Sequence, residues 1–314
     1  MNQNSFSTNF LDRLSIKRND KIWINAQFKN ESTRIIPISD SKILCMPAPN
    51  QGPIFLKPSD LHDYPNALES SIFLGICDKK TYFALEIDSL KYSSALCDKK
   101  NGEFLDMKRV SPLFNYRDGA LLALARFMII WHSKHRFCGK CGSPTKNADA
   151  GNLRVCTKNQ CGENHFPSMD PAIIVLVSSD DHCLLGRQQV WPKGMYSTLA
   201  GFVEPGESIE DAVVREVEEE TGIRVKEIEY QSSQPWLFPN SLMIGFTAKA
   251  KNNKIRIAKN ELEDARWFSR EDIRDNLNKG LMRLPLKVSI AYKLIMRWYD
   301  KSDVDKVNES VTKY

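Results

Sequence analysis

The segment Gly201-Phe-Val-Glu-Pro-Gly-Glu207-Ser-Ile-Glu-Asp-Ala-Val-Val-Arg215-Glu216-Val-Glu-Glu219-Glu220-Thr-Gly222-Ile223 is the most informative part of this 314-residue chain. Ser208 and Asp211 form a capping pair, which predicts that a helix begins at Ile209. Gly222 stands where a helix stop with left-handed backbone is favoured. The segment therefore predicts a loop followed by an amphipathic helix.

Successive residues of a helix are rotated by about 100°, which places the aliphatic residues on one stripe. The stripe consists of Ile209, Ala212 and Val213, with Val217 at its edge. Glu216 and Glu220 fall on the centre of that stripe, one turn apart. Glu219 lies at its other edge, and Glu218 points away. A solvated acidic face explains Glu218, but it does not explain two carboxylates that point inward.

Inward-facing carboxylates are costly unless they are paired or bound to a metal. Several of them together raise that cost, and a divalent cation relieves it. Hard oxygen ligands select Mg²⁺ or Mn²⁺, which share their coordination shell with substrate phosphates. The helix therefore predicts metal-assisted phosphoryl chemistry.

The segment resembles the Nudix box, Gly-x5-Glu-x7-Arg-Glu-U-x-Glu-Glu-x-Gly-U, where U is a bulky aliphatic residue. This resemblance implies an α/β/α sandwich that hydrolyses a nucleoside diphosphate linked to another group. It implies that Arg215 holds Glu207 and that Glu219 or Glu220 helps to activate water. The implied metal ligands are the Ala200 carbonyl, Glu216, Glu220 and Glu261. From the residues alone, a solvated turn at Glu261 and a surface ion pair at Arg215 remain open.

Four of the eight cysteines form two close pairs, Cys138-x2-Cys141 and Cys156-x4-Cys161. Neighbouring glycines supply the backbone freedom that tight turns around an ion need. Four thiolates complete a tetrahedral zinc site with no open position, so we expect one structural zinc ion per chain. Unrelated buried cysteines are the alternative interpretation.

A second segment, Ser233-Gln-Pro-Trp-Leu-Phe-Pro-Asn-Ser241, contains two prolines and two aromatic faces on which a base could stack. A stiff core loop explains its residues equally well. The segment is similar to the SQPWPFPxS signature of the NADH pyrophosphatase subfamily, which also carries a four-cysteine zinc ribbon. This resemblance implies substrate-binding residues at Phe166, Gln234, Pro235, Trp236, Leu237, Phe238, Pro239, Asn240, Ser241 and Ala291. Phe166 stands where the family usually has a tyrosine, so ring stacking is kept there.

We expect an α+β protein in which a β-rich N-terminal domain and a zinc ribbon precede the Nudix α/β/α sandwich. The predicted boundaries are 1–132, 133–167 and 168–314. Apolar runs predict strands at Ile43–Met46, Ser71–Ile76, Thr81–Leu85, Ala172–Val177, Cys183–Gly186 and Ser241–Ala250. Helical spacing predicts further helices at Asp118–His135 and Ser289–Tyr299.

The formal net charge of +5 is mild and provides no case for a dedicated nucleic-acid binder. The longest apolar run, Ala120 to Trp131, is too short to span a bilayer, so we expect no membrane partner. The N-terminus lacks a secretory pattern, and Thr312-Lys313-Tyr314 is not an address of the Ser-Lys-Leu type. We expect a cytoplasmic protein, although the resemblance also allows a peroxisomal one.

The subfamily resemblance implies hydrolysis of NADH, and more weakly of NAD⁺, to reduced NMN or NMN and AMP. It also implies a homodimer. Removal of NAD caps from RNA 5′ ends is a close variant, because the scissile bond is the same. A non-catalytic nucleotide sensor and a zinc-ribbon interaction module remain alternatives from other functional classes.

Overall fold

The computed structural model describes residues 4–49, 51–64, 66–257 and 261–299, so the C-terminal tripeptide considered above lies outside the described residues. The chain forms two compact units. Residues 6–169 and 237–240 make up the N-terminal unit. The described parts of 1–5, 170–236 and 241–314 make up the C-terminal unit. The three predicted sequence boundaries remain predictions.

A five-stranded sheet in the order β3-β4-β1-β2-β5 forms the core of the N-terminal unit. Its strands are β1 (Arg34–Ser39), β2 (Lys42–Cys45), β3 (Ser71–Cys77), β4 (Lys80–Glu86) and β5 (Glu103–Leu105). The predicted strands near residues 43, 71 and 81 are confirmed as β2, β3 and β4. Their apolar side chains are almost fully buried, which is why continuous apolar runs identified them.

Five helices of the N-terminal unit are described, apart from short 3₁₀ turns: α1 (Lys21–Lys29), α2 (Ala67–Ser70), α3 (Leu90–Lys100), α4 (Met107–Val110) and α5 (Tyr116–Lys134). Helix α5 confirms the prediction over residues 118–135. Asn115 caps its start by accepting a hydrogen bond from the Asp118 backbone N–H. Its apolar face is buried, as the helical spacing predicted.

A small antiparallel sheet carries the cysteine-rich region. It consists of β6 (Thr145–Ala148), β7 (Leu153–Cys156) and β8 (Asn164–His165) in that order.

The C-terminal unit contains a sheet in the order β12-β13-β9-β10-β14, with β11 paired to β9. Its strands are β9 (Asp170–Ser179), β10 (His182–Arg187), β11 (Leu199–Phe202), β12 (Val225–Trp236), β13 (Ser241–Ala250) and β14 (Asp264–Ser269). The three strands predicted in this region are confirmed as β9, β10 and β13.

Helices cover both faces of this sheet: α6 (Ile209–Thr221), α7 (Arg270–Asn278) and α8 (Ile290–Trp298). Along β9, Ile173 and Val175 pack towards α6, whereas Ile174 and Leu176 pack towards α7 and α8. This alternation is the normal period of a strand that is buried on both faces. The predicted α/β/α sandwich is therefore confirmed.

Helix α6 begins and ends at the predicted residues. Ser208 and Asp211 form a reciprocal capping box, and Gly222 follows the helix with φ 67°. The Gly222 backbone N–H donates to the Glu218 carbonyl, which satisfies one of the final helix carbonyls.

Strands β12 and β13 form a hairpin that contains the predicted base-binding segment. Gln234, Pro235 and Trp236 end β12, and Ser241 begins β13 opposite Trp236. Strand β12 lies at the edge of the sheet, where the missing N–H of a proline is tolerated. In the part of the chain that the structure describes, no helix has the length and apolar character needed to cross a membrane.

Candidate active site

The four glutamates in the C-terminal half of α6 lie in different environments. Glu220 is only 7% exposed, Glu216 is half-buried, and Glu218 and Glu219 are exposed. The Oε2 atom of Glu220 is buried and has no hydrogen-bond partner among the described residues. This pattern agrees with the helical placement deduced from the sequence, which put Glu216 and Glu220 inside and Glu218 outside.

Arg215 organises the acidic groups around it through five hydrogen bonds. Its Nε and Nη2 donate to the two carboxylate oxygens of Glu207 at 3.0 and 2.6 Å. Nη1 donates to Glu216 at 3.0 Å and to Glu219 at 3.1 Å. Nη2 also donates to the Phe202 carbonyl at 2.8 Å. The side chain is mostly buried, so this fork-like arrangement fixes the loop before α6 against the helix.

Glu207 also binds the backbone of the loop that precedes α6. Its Oε1 accepts a hydrogen bond from the Glu204 backbone N–H at 2.7 Å. The hydrogen bonds from Arg215 lower the pKa of Glu207 to about 2, with a further contribution from the Glu204 N–H. Glu207 therefore stays ionised and holds the loop in place over a wide pH range.

Glu220 has the opposite electrostatic environment. Burial raises its pKa to about 8, and the charges of Glu216 and Glu261 act in the same direction. Burial also raises the pKa of Glu216. A buried carboxylate whose Oε2 has no hydrogen-bond partner among the described residues, and on which the charges of two further carboxylates act, fits a cation that is bound through oxygen ligands. The donor set is thus suited to Mg²⁺ or Mn²⁺.

The other two predicted metal ligands come from different elements. Ala200 lies on β11 and pairs with Ile174 of β9. Glu261 lies on an exposed turn three residues before β14 begins at Asp264. It is nevertheless close enough to Glu220 for its charge to raise the pKa of that group.

Two residues of the box contribute in ways that the sequence did not reveal. A Cβ atom on Gly201 would overlap the carboxylate of Glu216, so only glycine permits this close approach. Phe202 is 57% exposed, although it is a large apolar side chain directly beside this group of residues. In the sequence, Phe202 stands between Gly201 and Glu207 of the box, and this position was the available indication that Phe202 borders the site.

The predicted substrate residues of the C-terminal unit are largely enclosed. The amide nitrogen of Gln234 donates to the carbonyls of Val288 and Ser5, and its oxygen accepts from the Ile290 backbone N–H. Gln234 thereby fixes the start of α8, where Ala291 is buried in the core. Ser241 is also buried, whereas Pro235 and Trp236 are half-buried.

The remaining predicted substrate residues belong to the N-terminal unit. Leu237 and Phe238 are buried, while Pro239 is exposed and Asn240 half-buried. The Phe238 ring meets Phe6 edge-to-face at 5.5 Å, and the guanidinium of Arg126 lies 5.4 Å from its centre. Phe166 is 64% exposed. The hairpin tip is therefore packed by its own unit, and Phe166 offers the most accessible ring of the predicted set in that unit.

The four clustered cysteines converge on one point. All four sulfur atoms lie within 4.8 Å of one another, with Cys138 and Cys161 3.8 Å apart and Cys141 and Cys156 3.5 Å apart. Tetrahedral coordination with Zn–S bonds of about 2.3 Å requires sulfur separations of roughly 3.8 Å. The cluster therefore fits one closed zinc site, as the spacing predicted.

Comparison with known proteins agrees with both sites. Residues 168–286 match the NUDIX domain, and residues 133–166 match the NADH pyrophosphatase zinc ribbon domain. The NAD-capped RNA hydrolase NUDT12 of Homo sapiens is 38% identical over 94% of this chain and 73% of its own length. The mitochondrial NAD(P)H pyrophosphatase NUDT13 of Homo sapiens is 38% identical over 74% of this chain and 72% of its own length.

A bacterial relative, the NAD-capped RNA hydrolase NudC of Stutzerimonas stutzeri, is 46% identical over 60% of this chain and 63% of its own length. Three observations thus indicate the same family: the zinc ribbon, the acidic helix and the similarity over nearly the whole chain. The chain belongs to the Nudix hydrolase family, in the group that carries an NADH pyrophosphatase zinc ribbon.

Proposed function

We propose that this protein hydrolyses the pyrophosphate bond of NADH, and more weakly of NAD⁺, to AMP and reduced NMN or NMN. The observation that carries the proposal is the buried carboxylate of Glu220, whose Oε2 has no hydrogen-bond partner in the described part of the chain and on which the charges of Glu216 and Glu261 act. Such a group fits a divalent cation that shares its ligands with the phosphates of a dinucleotide. The names of the human relatives support this substrate class.

In this mechanism the Ala200 carbonyl, Glu216, Glu220 and Glu261 would hold Mg²⁺ or Mn²⁺. When bound, such an ion would supply Lewis-acid chemistry that makes water easier to deprotonate and offsets negative charge on the phosphates. Glu219 or Glu220 accepts the proton of the attacking water. The water oxygen forms a bond to one phosphorus, the bridging P–O bond breaks, and the second phosphate leaves with its electron pair.

Arg215 and Glu207 act as orienting residues in this proposal. The guanidinium is already bonded to Glu207, Glu216 and Glu219, so its role is to keep the loop and the carboxylates in position. This arrangement is in place before substrate binds, which lowers the cost of reaching the reactive geometry.

For the base, we propose Phe202 as a stacking surface in the C-terminal unit. The Phe202 carbonyl accepts a hydrogen bond from Arg215 of the acidic helix and its ring is exposed, whereas Gln234 and Ala291 are enclosed. Trp236 and Ser241, together with Pro235, complete the expected lining of this unit. In the N-terminal unit, the predicted substrate residues remain Phe166, Leu237, Phe238, Pro239 and Asn240.

Hydrolysis of NAD-capped RNA is a second candidate function. Two relatives carry that activity in their names, and the same pyrophosphate bond is broken. The net charge of +5 is compatible with an RNA substrate. Single-turnover rates on NAD-capped RNA and on free NADH separate the two substrates, and a capped-RNA rate at background would remove this candidate.

A substrate panel tests the main proposal. Purified protein with Mn²⁺ is offered NADH, NAD⁺, ADP-ribose and diadenosine polyphosphates at equal concentration. We expect AMP and reduced NMN to form fastest from NADH. Faster product formation from another compound would make that compound the preferred substrate, while the protein would remain a hydrolase. Binding of these compounds without hydrolysis of any of them would favour a non-catalytic nucleotide sensor. RNA or protein binding that survives Glu220→Gln, without hydrolysis, would favour the zinc-ribbon interaction module.

Assembly and location belong to the same proposal. The family resemblance implies a homodimer, and we expect sedimentation equilibrium to give twice the chain mass of 35.9 kDa. A single-chain mass at micromolar concentration would reject the dimer. The cytoplasm remains the expected compartment, and microscopy of the tagged full chain tests it.

A further inference from the structure

We propose that Arg187 is a positioning residue that holds the turn carrying Glu261 within reach of Glu216 and Glu220, with Tyr196 as a second anchor. The inference rests on the proposed function, since Glu261 is one of the proposed metal ligands. Neither Arg187 nor Tyr196 belongs to the acidic group itself. Their effect on the metal would act through the backbone of the turn.

The turn is bound to Arg187 at two points. The Arg187 guanidinium pairs with the carboxylate of Glu263 at 2.5 Å. The Glu263 backbone N–H donates to the Arg187 carbonyl at 2.8 Å. One residue of β10 therefore holds both the side chain and the main chain of Glu263, two positions after Glu261.

Arg187 is itself fixed on its other side. Its Nη1 donates to the Pro192 carbonyl at 2.6 Å, and Nη2 donates to the Trp191 carbonyl at 3.2 Å. The side chain is only 11% exposed. A planar guanidinium with several donors can bridge a loop and a carboxylate in this way, whereas the single ammonium of a lysine cannot match the geometry.

Tyr196 holds Asp264, the residue after Glu263, where the turn ends and β14 begins. Its hydroxyl donates to Asp264 at 2.5 Å, and its ring packs edge-to-face on Phe268 with the centres 5.0 Å apart. Asp264 is also the first residue of β14, where it pairs in register with Arg187. The two anchors therefore act where the exposed turn joins the rigid sheet.

The need for such anchors follows from the charges. Glu216 and Glu220 are held by a helix, but Glu261 is on an exposed turn and is repelled by both. Without a fixed turn, this repulsion would move Glu261 away and leave the cation one ligand short. Residues that orient metal ligands commonly change metal affinity or activity by about 10- to 100-fold when they are removed.

Mn²⁺ titration monitored by electron paramagnetic resonance, in the absence of substrate, tests this inference directly. The variants are Arg187→Ala, Arg187→Lys and Tyr196→Phe in the full chain. Arg224→Ala is the matched control, because Arg224 forms an exposed ion pair with Glu218, which points away from the acidic group. Glu261→Gln provides the reference for loss of the ligand itself.

We expect Arg187→Ala to weaken Mn²⁺ binding about 10-fold, with Arg187→Lys and Tyr196→Phe intermediate and Arg224→Ala unchanged. Saturating Mn²⁺ should restore most of the maximal NADH hydrolysis rate, since the ligands remain. Binding by Arg187→Ala within two-fold of wild type would overturn the inference. Tighter binding would also overturn it, because the freed Glu263 would then be a ligand. If Arg187→Ala fails to fold, unchanged affinity in Tyr196→Phe decides against the proposal.

Failure of the function and failure of the inference give different results. A wild-type protein that binds Mn²⁺ through Glu261 but does not hydrolyse NADH would reject the proposed function alone. If the protein hydrolyses NADH but its Mn²⁺ affinity does not change in the Arg187 and Tyr196 variants, only the positioning role of these two residues is rejected.

Discussion

Replacement of Gly201 by alanine tests how tightly the acidic site is built. The added Cβ atom would overlap the carboxylate of Glu216, and real Cβ contacts stay beyond 3.0 Å. The carboxylate must therefore move by at least about 1 Å, a displacement that can cost roughly 100-fold in rate. This corresponds to about 2.7 kcal/mol of transition-state stabilisation.

The fold should tolerate this change. Gly201 lies in a strand without left-handed backbone, and Glu216 is a flexible side chain that can turn aside. We therefore expect Gly201→Ala to lower kcat/KM for NADH about 100-fold while Tm changes by no more than a few degrees.

The assay is AMP release from NADH over a range of Mn²⁺ concentrations, with Tm measured on the same samples. Gly119→Ala in α5 is the control, because its added Cβ meets its nearest neighbour at an ordinary 3.8 Å and its backbone is not left-handed. Activity of Gly201→Ala within three-fold of wild type at every Mn²⁺ concentration would refute the reasoning.

Three further predictions concern the metal sites and a buried histidine. Glu220→Gln should raise the Tm of the metal-free protein by roughly 5 °C, because it removes a buried, mutually repelled carboxylate, and should abolish the Tm increase on adding Mn²⁺; an unchanged metal-free Tm would count against this. Cys156→Ser should lower the zinc content, measured by atomic absorption, well below one ion per chain, because it removes one of four converging thiolates; full zinc content would contradict the closed site. Burial lowers the pKa of His132 to about 4, from a usual value near 6.5, so the unfolded chain binds a proton first as pH falls. Urea unfolding should therefore show about 3 kcal/mol of stability lost between pH 6.5 and pH 4, and a smaller loss in His132→Gln; equal losses would exclude His132 as the cause.

Features encoded by neighbouring residues were predictable from the sequence. The start of α6 at Ile209 follows from Ser208 and Asp211, three residues apart, and its end follows from Gly222. The buried position of Glu220 follows from its helical spacing relative to the aliphatic stripe. The convergence of the cysteines follows from the short spacing within each pair.

Features that depend on distant residues were not predictable. Gln234 is enclosed because Val288 and Ser5 provide its hydrogen-bond partners, and nothing near Gln234 in the sequence indicates them. Arg187 lies on β10 and Glu263 on the turn just before β14, and these two strands meet only in the folded sheet. The sequence could identify Glu261 as a candidate ligand, but it could not show what holds its turn in place.

The glycine at position 201 falls between these cases. Its place in the box was recognised from the sequence, but its physical reason is the carboxylate of Glu216, which approaches it from the helix. Sequence pattern identified the residue, and only the packing of α6 against β11 explains it.

The most direct test of the central claim is mass spectrometry of the products formed from NADH with Mn²⁺ in ¹⁸O-labelled water. The account predicts AMP and reduced NMN in equal amounts, with one ¹⁸O atom in the phosphate of one of the two products and no products from Glu220→Gln. Release of nicotinamide with ADP-ribose, or formation of AMP without ¹⁸O in either phosphate, would contradict water attack on the pyrophosphate.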